Sequence, residues 1–430
     1  MQIINEVLAD GIRCLSLPES RFKTNRLSVA MLLPLNRQTA SAGALLPYLL
    51  RRSCAAYPDY RALQNRLNEL YGASITAEVA RVGEAQALVL TAVSIDDRFA
   101  LAGESVAEDC ADLLRQMLFE PVLENGIFRS SDVETEKRCL IERMHAEIND
   151  KRWYARRRCE EILCENEAYA VDRYGSPESA AALTPGEITA AWRRVLAGAR
   201  VQLILQGGAA AMHAAGPLRE AMAGGPGRKP LDCPTDTMAA NPRVRDVTER
   251  MRVNGSKLVM GFRTGTAEPD GDVAAARLMN ALFGGTPHSL LFRHVREKLS
   301  LCYYCSSAYD RLKGVLLVES GVDERNAGRA REEILRQLDA VKKGDFSQED
   351  LESARISARQ SFEAVEDSQS AQAAWYLGQC LLPGVSTPEE ASKALADVTK
   401  ERVVAAAERL RLESIYLLAQ DPHEEGTGNA

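Results

Sequence analysis

The chain has 430 residues, enough for two to four domains at roughly 100–200 residues each. Apolar residues make up 46% and charged residues 26%, an ordinary globular composition. The 53 basic and 60 acidic residues leave a net charge of −7, which argues against a broad cationic face for nucleic acid. With 29 Gly and 17 Pro, the chain is neither collagen-like nor of low complexity.

No stretch approaches the roughly 18–20 apolar residues that span a bilayer. The opening MQIINEV has no basic segment followed by an apolar run, so no signal peptide is expected. The ten cysteines lie at 14, 54, 110, 139, 159, 164, 233, 302, 305 and 380. That spacing is too irregular, in a chain this long, for a disulfide framework, and they are expected to be reduced thiols of a cytoplasmic protein.

In chain order, LSVAMLLPL (27–35) is an apolar, strand-compatible run followed by a polar loop over 36–42. GALLPYLLRRS (43–53) comes next. YRALQNRLNELYGA (60–73) then sets Leu63, Leu67, Leu70 and Tyr71 at helical spacing and ends at Gly72. SITAEVARV (74–82) and ALVLTAVSI (87–95) read as strands. A charge-rich, helix-compatible stretch runs from Asp132 to Asn166, with Ile141, His145 and Ile148 near one face, and is expected to present a solvated face over a core stripe. The second half repeats the order. KLVMGFRTG (257–265) is strand-like, and DVAAARLMNALFGG (272–285) is helical. SLLFRHVREKLS (289–300) is helical with Leu290, Leu291, Val295 and Leu299 on one side. LCYYCSSAYD (301–310) and GVLLVESGV (314–322) form a strand pair. An offset of 230 residues separates Leu27 from Lys257 and 231 separates Tyr71 from Cys302, the mark of a duplicated α/β unit. Residues 223–243, rich in Pro and Gly and without periodicity, read as a linker between domains 1–222 and 244–430, and the tail from Asp421 as polar and frayed.

Chemistry is sparse. The five histidines (145, 213, 288, 294 and 423) include no pair one helical turn apart, so a helical HxxEH or HExxH zinc site is absent in any register. His288, His294, Cys302 and Cys305 are the one His/Cys cluster in sequence. Strand alternation puts Cys302 and Cys305 on opposite faces, so both are expected to be small core thiols. No GxSxG, GxGxxG or P-loop pattern occurs.

Three segments carry a family resemblance: LLPYLLRRSCAAYP with LNELYGA (45–73); LFEPVLENGIFRSSDVETEKRCLIERM with DKRWYARRRCEEILCENEAY (118–169); and FGGTPHSLLFRHVREKLSLCYY (283–304). In these the chain resembles the M16 peptidases, the pitrilysin/insulinase type, and among them the non-catalytic bacterial members associated with elongation factor P modification. The resemblance implies an α+β fold: two homologous α/β sandwich domains, each a mostly antiparallel sheet with helices on one face, joined by the linker into a half-shell. It aligns Ala44, Pro47 and Tyr48 with the two His and the Glu of HxxEH. It also places Arg143 where a third ligand, a Glu seven residues after Glu136, would stand, so every ligand and the general base are replaced. A cationic Arg143 would repel a divalent metal. The family's Arg and Tyr, seven residues apart, match Arg296 and Tyr303, with Tyr304 a competing choice.

The resemblance therefore implies a metal-free subunit, with no cofactor of its own, that pairs with a zinc-bearing HxxEH homologue as a heterodimer. To that partner's site it adds Arg296 and Tyr303 as substrate-binding and oxyanion-stabilising groups for peptide hydrolysis. A homodimer is the alternative assembly where the partner is missing, and the sequence does not decide whether it forms. A peptide-binding or scaffolding protein without proteolysis is the second reading. An enzyme of another class, revealed by one unusually reactive thiol, is the third.

Overall fold

The computed structural model describes residues 3–224, 227–269 and 271–421; the polar tail beyond Asp421, with His423, lies outside them. The first sheet is built from β1 (Ile4–Ala9), β2 (Ile12–Pro18), β3 (Thr24–Pro34), β4 (Ser74–Val82) and β5 (Ala85–Ile95), together with β8 (Arg200–Gly207). A small hairpin, β6 (Leu123–Glu124) and β7 (Ile127–Phe128), stands apart from it. The second sheet contains β9 (Arg245–Met251), β10 (Ser256–Arg263), β11 (Cys302–Asp310), β12 (Val315–Val322) and β13 (Arg411–Gln420).

Strand order is β1-β2-β8-β3-β5-β4 in the first sheet and β11-β12-β10-β13-β9 in the second. In each, one parallel pair (β2 with β8, β13 with β9) adjoins an otherwise antiparallel sheet. Leaving out β1, the two sheets have one topology, strand for strand, and this is the duplication expected from the 230-residue offset. The fold is the mixed α+β arrangement of two antiparallel-rich sheets with helical layers.

The elements form where the apolar pattern places them. β3 and β5 are buried almost throughout, as strands covered on both faces must be. Helix α1 (Ala40–Leu50) is buried at ten of its eleven positions, while α2 (Tyr60–Glu69) buries only Leu63 and Leu67 and is capped by Asp59, whose carboxylate accepts from Ala62 N–H at 2.8 Å. With α3 (Val106–Phe119) and α4 (Ser130–Asn149), α1 packs into one apolar core against a single face of the first sheet. The charge-rich stretch does not form one helix. Asp150 interrupts it, its carboxylate capping the next helix, α5 (Lys151–Leu163), through Arg152 and Trp153 N–H. On α4 the buried residues are Val133, Glu136, Lys137, Leu140 and Met144, while His145 and Ile148 face solvent, so the core stripe is displaced from the expected one.

The compact units do not follow a single cut in the chain. One comprises residues 1–145, 171–234 and 369–381; the other 146–170, 235–368 and 382–430. The expected linker carries no helix or strand over its described residues 227–243 and separates the strands of the two sheets. Two segments nevertheless belong with the opposite half. Helix α5 packs on β10, β12 and β13, opposite that sheet's main helical core. The helix Gln369–Leu377 lies on β3 and β8, where Gln206 Nε2 donates to Gln372 Oε1 at 2.9 Å and Thr24 Oγ1 to Gln369 Oε1 at 2.9 Å.

Several charges of α5 are paired to its sheet. Arg152 and Arg156 donate to the two oxygens of Glu319 at 2.8 and 3.1 Å, and Tyr154 and Tyr416 both donate to Glu249. Gly261 lets the helix approach closely, since a Cβ there would lie 2.3 Å from Ser414 Oγ and 3.2 Å from Leu163. Just beyond α5, Glu167 sits between Arg263 and the fully buried Lys313; Arg263 also donates to Glu413 at 3.2 Å and to the Leu163 carbonyl at 2.8 Å. Burial alone would raise the Glu167 pKa, but hydrogen bonds from Arg263 and Lys313 outweigh it and hold the carboxyl below its ordinary value.

Glu167→Gln should lower the unfolding free energy by about 3–5 kcal/mol, because it leaves two buried cations without their shared anion. Urea denaturation followed by circular dichroism measures this. The contribution of Glu167 is complete above the ordinary carboxylate pKa of about 4.3 and is lost as pH falls through its lowered folded value, so the variant should lose less stability than the wild type on acidification.

Candidate functional site

The four positions aligned with a zinc site fall on α1 and α4. Ala44 and Pro47 are buried in α1, and Tyr48, 4% exposed, lies one residue further on. Pro47 has no N–H to donate to the carbonyl four residues back, and its ring crowds that position, which is Gly43. Gly43 has its own reason: a Cβ there would lie 2.2 Å from Gln86 Oε1, and Gln86 Nε2 donates to the Ala40 carbonyl at 2.8 Å.

Arg143, on α4, reaches Tyr48. Its guanidinium carbon stands 4.4 Å from the ring centroid, and Nη1 donates to the phenol oxygen at 3.1 Å. Burial raises the pKa of this phenol, and a hydrogen bond with Tyr174 adds to the effect; Arg143 acts in the opposite direction. The structure thus brings Tyr48 and Arg143 together as a packed cation–π pair. A methyl group, a ring without N–H, a phenol held protonated and a guanidinium do not fit a divalent cation. Glu136 is tied up elsewhere, accepting from Arg52 Nη1 at 2.7 Å. Among the described residues no group of three or more His, Cys, Asp or Glu converges as metal ligands.

Arg296 and Tyr303 lie in the second unit. The helix expected over 289–300 closes with i→i+5 bonds over Phe292–Lys298, the Leu299 N–H reaching the His294 carbonyl at 3.2 Å. This wider turn keeps Leu290, Leu291 and Val295 buried but turns Leu299 outward, so Leu299 does not share their face as expected. Arg296 is exposed, its guanidinium 4.6 Å from the Phe292 ring centroid.

β11 follows and is irregular too. Cys302 pairs with Val322 and Tyr304 with Gly321, so Tyr303 is the extra residue of a β-bulge. Tyr303 is 67% exposed and donates from its hydroxyl to Asp323 at 3.3 Å. Tyr304 is packed between the Arg152 guanidinium, 4.4 Å from its ring centroid, and Gly321, where a Cβ would meet the ring at 2.5 Å. Burial pushes the Tyr304 phenol up to about 12. Of the two tyrosines, Tyr303 is the one that can meet another molecule.

The bulge overturns the expectation for the cysteines. Cys302 stands opposite Val322 and Cys305 opposite Ser320, two positions apart on β12 and therefore on one face. Cys305 is buried in the core, and Cys302 packs against that core while staying part-exposed. Sequence reasoning missed this pair because a one-residue insertion is invisible to a period-two pattern.

Residues 182–357 match the family model described as peptidase M16 inactive domain. The chain is 29% identical, over 97% of its length and 98% of the relative's, to a Bacillus subtilis (strain 168) protein named probable inactive metalloprotease YmfF. A conserved protein from Enterococcus faecalis V583 has a similar crystal structure, with TM-score 0.87, 25% identity and full coverage of both chains. A peptidase M16 inactive domain from Pseudomonas fluorescens shares the fold at TM-score 0.76 and 17% identity, over 98% of this chain and 100% of that one.

The pairing at Tyr48 is measurable. A double-mutant cycle of Arg143→Ala and Tyr48→Phe should return a coupling of about 0.5–1.5 kcal/mol for the hydrogen bond they share. Equilibrium dialysis of the wild type against zinc should show no stoichiometric, tightly bound ion.

Proposed function

This chain is an inactive-type member of the M16 peptidase family, and from that premise we propose that it serves as the metal-free subunit of a two-chain peptidase. In this reading a homologue bearing an intact HxxEH motif supplies the metal and general base, and this chain supplies Arg296 and Tyr303. The observation that carries the reading is the contrast between two places. The helix positions aligned with the metal site hold the buried Ala44, Pro47 and Tyr48, with Arg143 over the Tyr48 ring, whereas Arg296 and Tyr303 stand exposed at and just before the start of β11.

Residues kept only for packing would be expected to bury their side chains. A guanidinium and a phenol held at the surface by a wide helical turn and a bulge instead suit a role toward another molecule. Both are hydrogen-bond donors. The role assigned to them is to hold the substrate carbonyl and to stabilise the negative charge that develops on its oxygen as the peptide bond is attacked. β11 is also an edge strand of its sheet, without a strand partner on one side among the described residues, the place where an extended peptide could add. The edge strand supports peptide binding in this reading and equally in the alternative of a peptide-binding or scaffolding protein without proteolysis.

Affinity purification from the native host should yield a near-stoichiometric partner with an intact HxxEH, and only the mixture of the two should cleave peptides. In that complex, Arg296→Ala should reduce kcat by roughly 10²–10³-fold with assembly unchanged, the effect of losing one oxyanion donor. Full activity of the variant complex would remove Arg296 from the mechanism. Peptide affinity that persists when all metal is chelated, with no cleavage by any mixture, would favour the binding protein.

A further inference from the structure

Two thiols share one face of β11, one of them within electrostatic reach of Arg296. A regular strand would hold Cys302 and Cys305 on opposite faces about 10 Å apart. The extra residue at Tyr303 places them opposite Val322 and Ser320 instead, on the same face and about 7 Å apart along the strand, at the upper end of the Cα separations that disulfides span. Ser320, which stands opposite Cys305, donates its hydroxyl to the Tyr304 carbonyl at 3.1 Å.

The two sulfurs differ. Cys305 is buried, whereas Cys302 is part-exposed and within electrostatic reach of the Arg296 guanidinium. Interaction with Cys305 lowers the Cys302 pKa, burial opposes it, and Ser320 and Arg296 lower it further, while the pKa of Cys305 is raised by Cys302 and by burial. Elsewhere burial raises the thiols of Cys14, Cys54, Cys110, Cys159, Cys164, Cys233 and Cys380. Cys380 is part-exposed like Cys302, and Cys139, on α4, is the exposed thiol among the described residues.

We propose that Cys302 and Cys305 form a redox-active dithiol in which Cys302 is the attacking thiol and Cys305 resolves, with low-molecular-weight disulfides as the oxidant. The Cys302 thiolate attacks one sulfur of the disulfide RSSR, forming a Cys302–SR bond and releasing RS⁻. Cys305 then loses its proton and attacks Cys302 Sγ, forming the Cys302–Cys305 bond and expelling the second RS⁻. The protons of the two cysteines end on the two RS⁻, so the dithiol is oxidised and RSSR is reduced to two RSH. The reactive sulfur is the one that is both accessible and polarised by a cation and hydrogen-bond donors, as reactive thiols require. The proposal does not depend on whether the chain takes part in proteolysis.

The test uses the full-length folded protein and oxidised glutathione, with acid trapping and peptide mass spectrometry. The wild type should yield a 302–305 segment lighter by two hydrogens. Cys305→Ser should stop at a glutathione adduct on Cys302, formed about tenfold or more faster than any adduct on Cys139. Cys302→Ser should leave Cys305 unmodified. The proposal falls if wild-type Cys302 stays reduced while Cys139 is glutathionylated. It falls also if the adduct persists on wild-type Cys302 without closing, or if Cys302 closes onto another cysteine. Both serine variants should melt with the wild type, and the glutathione-treated wild type is the arm that decides if either does not.

Discussion

A sheet that is apolar on two faces must be covered on both, and in this chain each half covers only one of its own. The second face of the C-terminal sheet, with Val259, Val315, Leu317, Tyr416 and Leu418, is closed by Ala155, Cys159 and Leu163 of α5, which comes from the N-terminal half. The helix Gln369–Leu377 makes the reciprocal move onto β3 and β8. Almost everything distinctive in the interior answers to this exchange. Gly261 is bare so that α5 can approach, Glu319 and Glu249 wait in the sheet for its arginines and tyrosine, and Glu167 joins Arg263 and Lys313 just beyond the helix end. Charges of this kind add little net stability over apolar residues, but each is costly to leave alone, so they fix where the donated segment lies.

The apolar strands were legible because strands buried on both faces appear as continuous Val/Leu/Ile runs. The 230-residue offset revealed the repeat because both sheets use one topology. The role of α5 was not legible. Its Arg and Glu residues look like a solvated surface in any local window, and the sheet partners of Arg152, Arg156 and Arg158 are roughly a hundred or more residues away in sequence. The break at Asp150 was in principle visible as an N-cap, yet the charge pattern runs through it without interruption.

At the candidate site, legibility divides by mechanism. The loss of metal ligands could be read from the letters alone, since a chain whose first histidine is His145 cannot present two of them on α1. That Tyr48 and Arg143 contact one another follows from two helices meeting and needed the fold. Pairwise rules failed where the backbone departs from its period: Leu299 left its expected face at an i→i+5 turn, and Cys302 joined Cys305 across a bulge. Such departures carry an energetic cost and tend to be retained where side chains must be aimed.

Those two departures flank one short connection, and together they act as phase shifters. The wide turn at Phe292–Lys298 adds a residue to the helical repeat just where Arg296 sits, and the bulge adds one to the strand repeat at Tyr303. The seven-residue interval between the two side chains is therefore not a ruler laid along regular structure. It is a count that includes two offsets, each of which alters what points outward. Losing either offset would leave the letters in place while rotating a different side chain to the surface, with Tyr304 the nearest candidate to replace Tyr303. Equal spacing in a relative therefore signifies equal presentation only when both irregularities are present, and the backbone, more than the identity of the aromatic residue, decides which ring is offered.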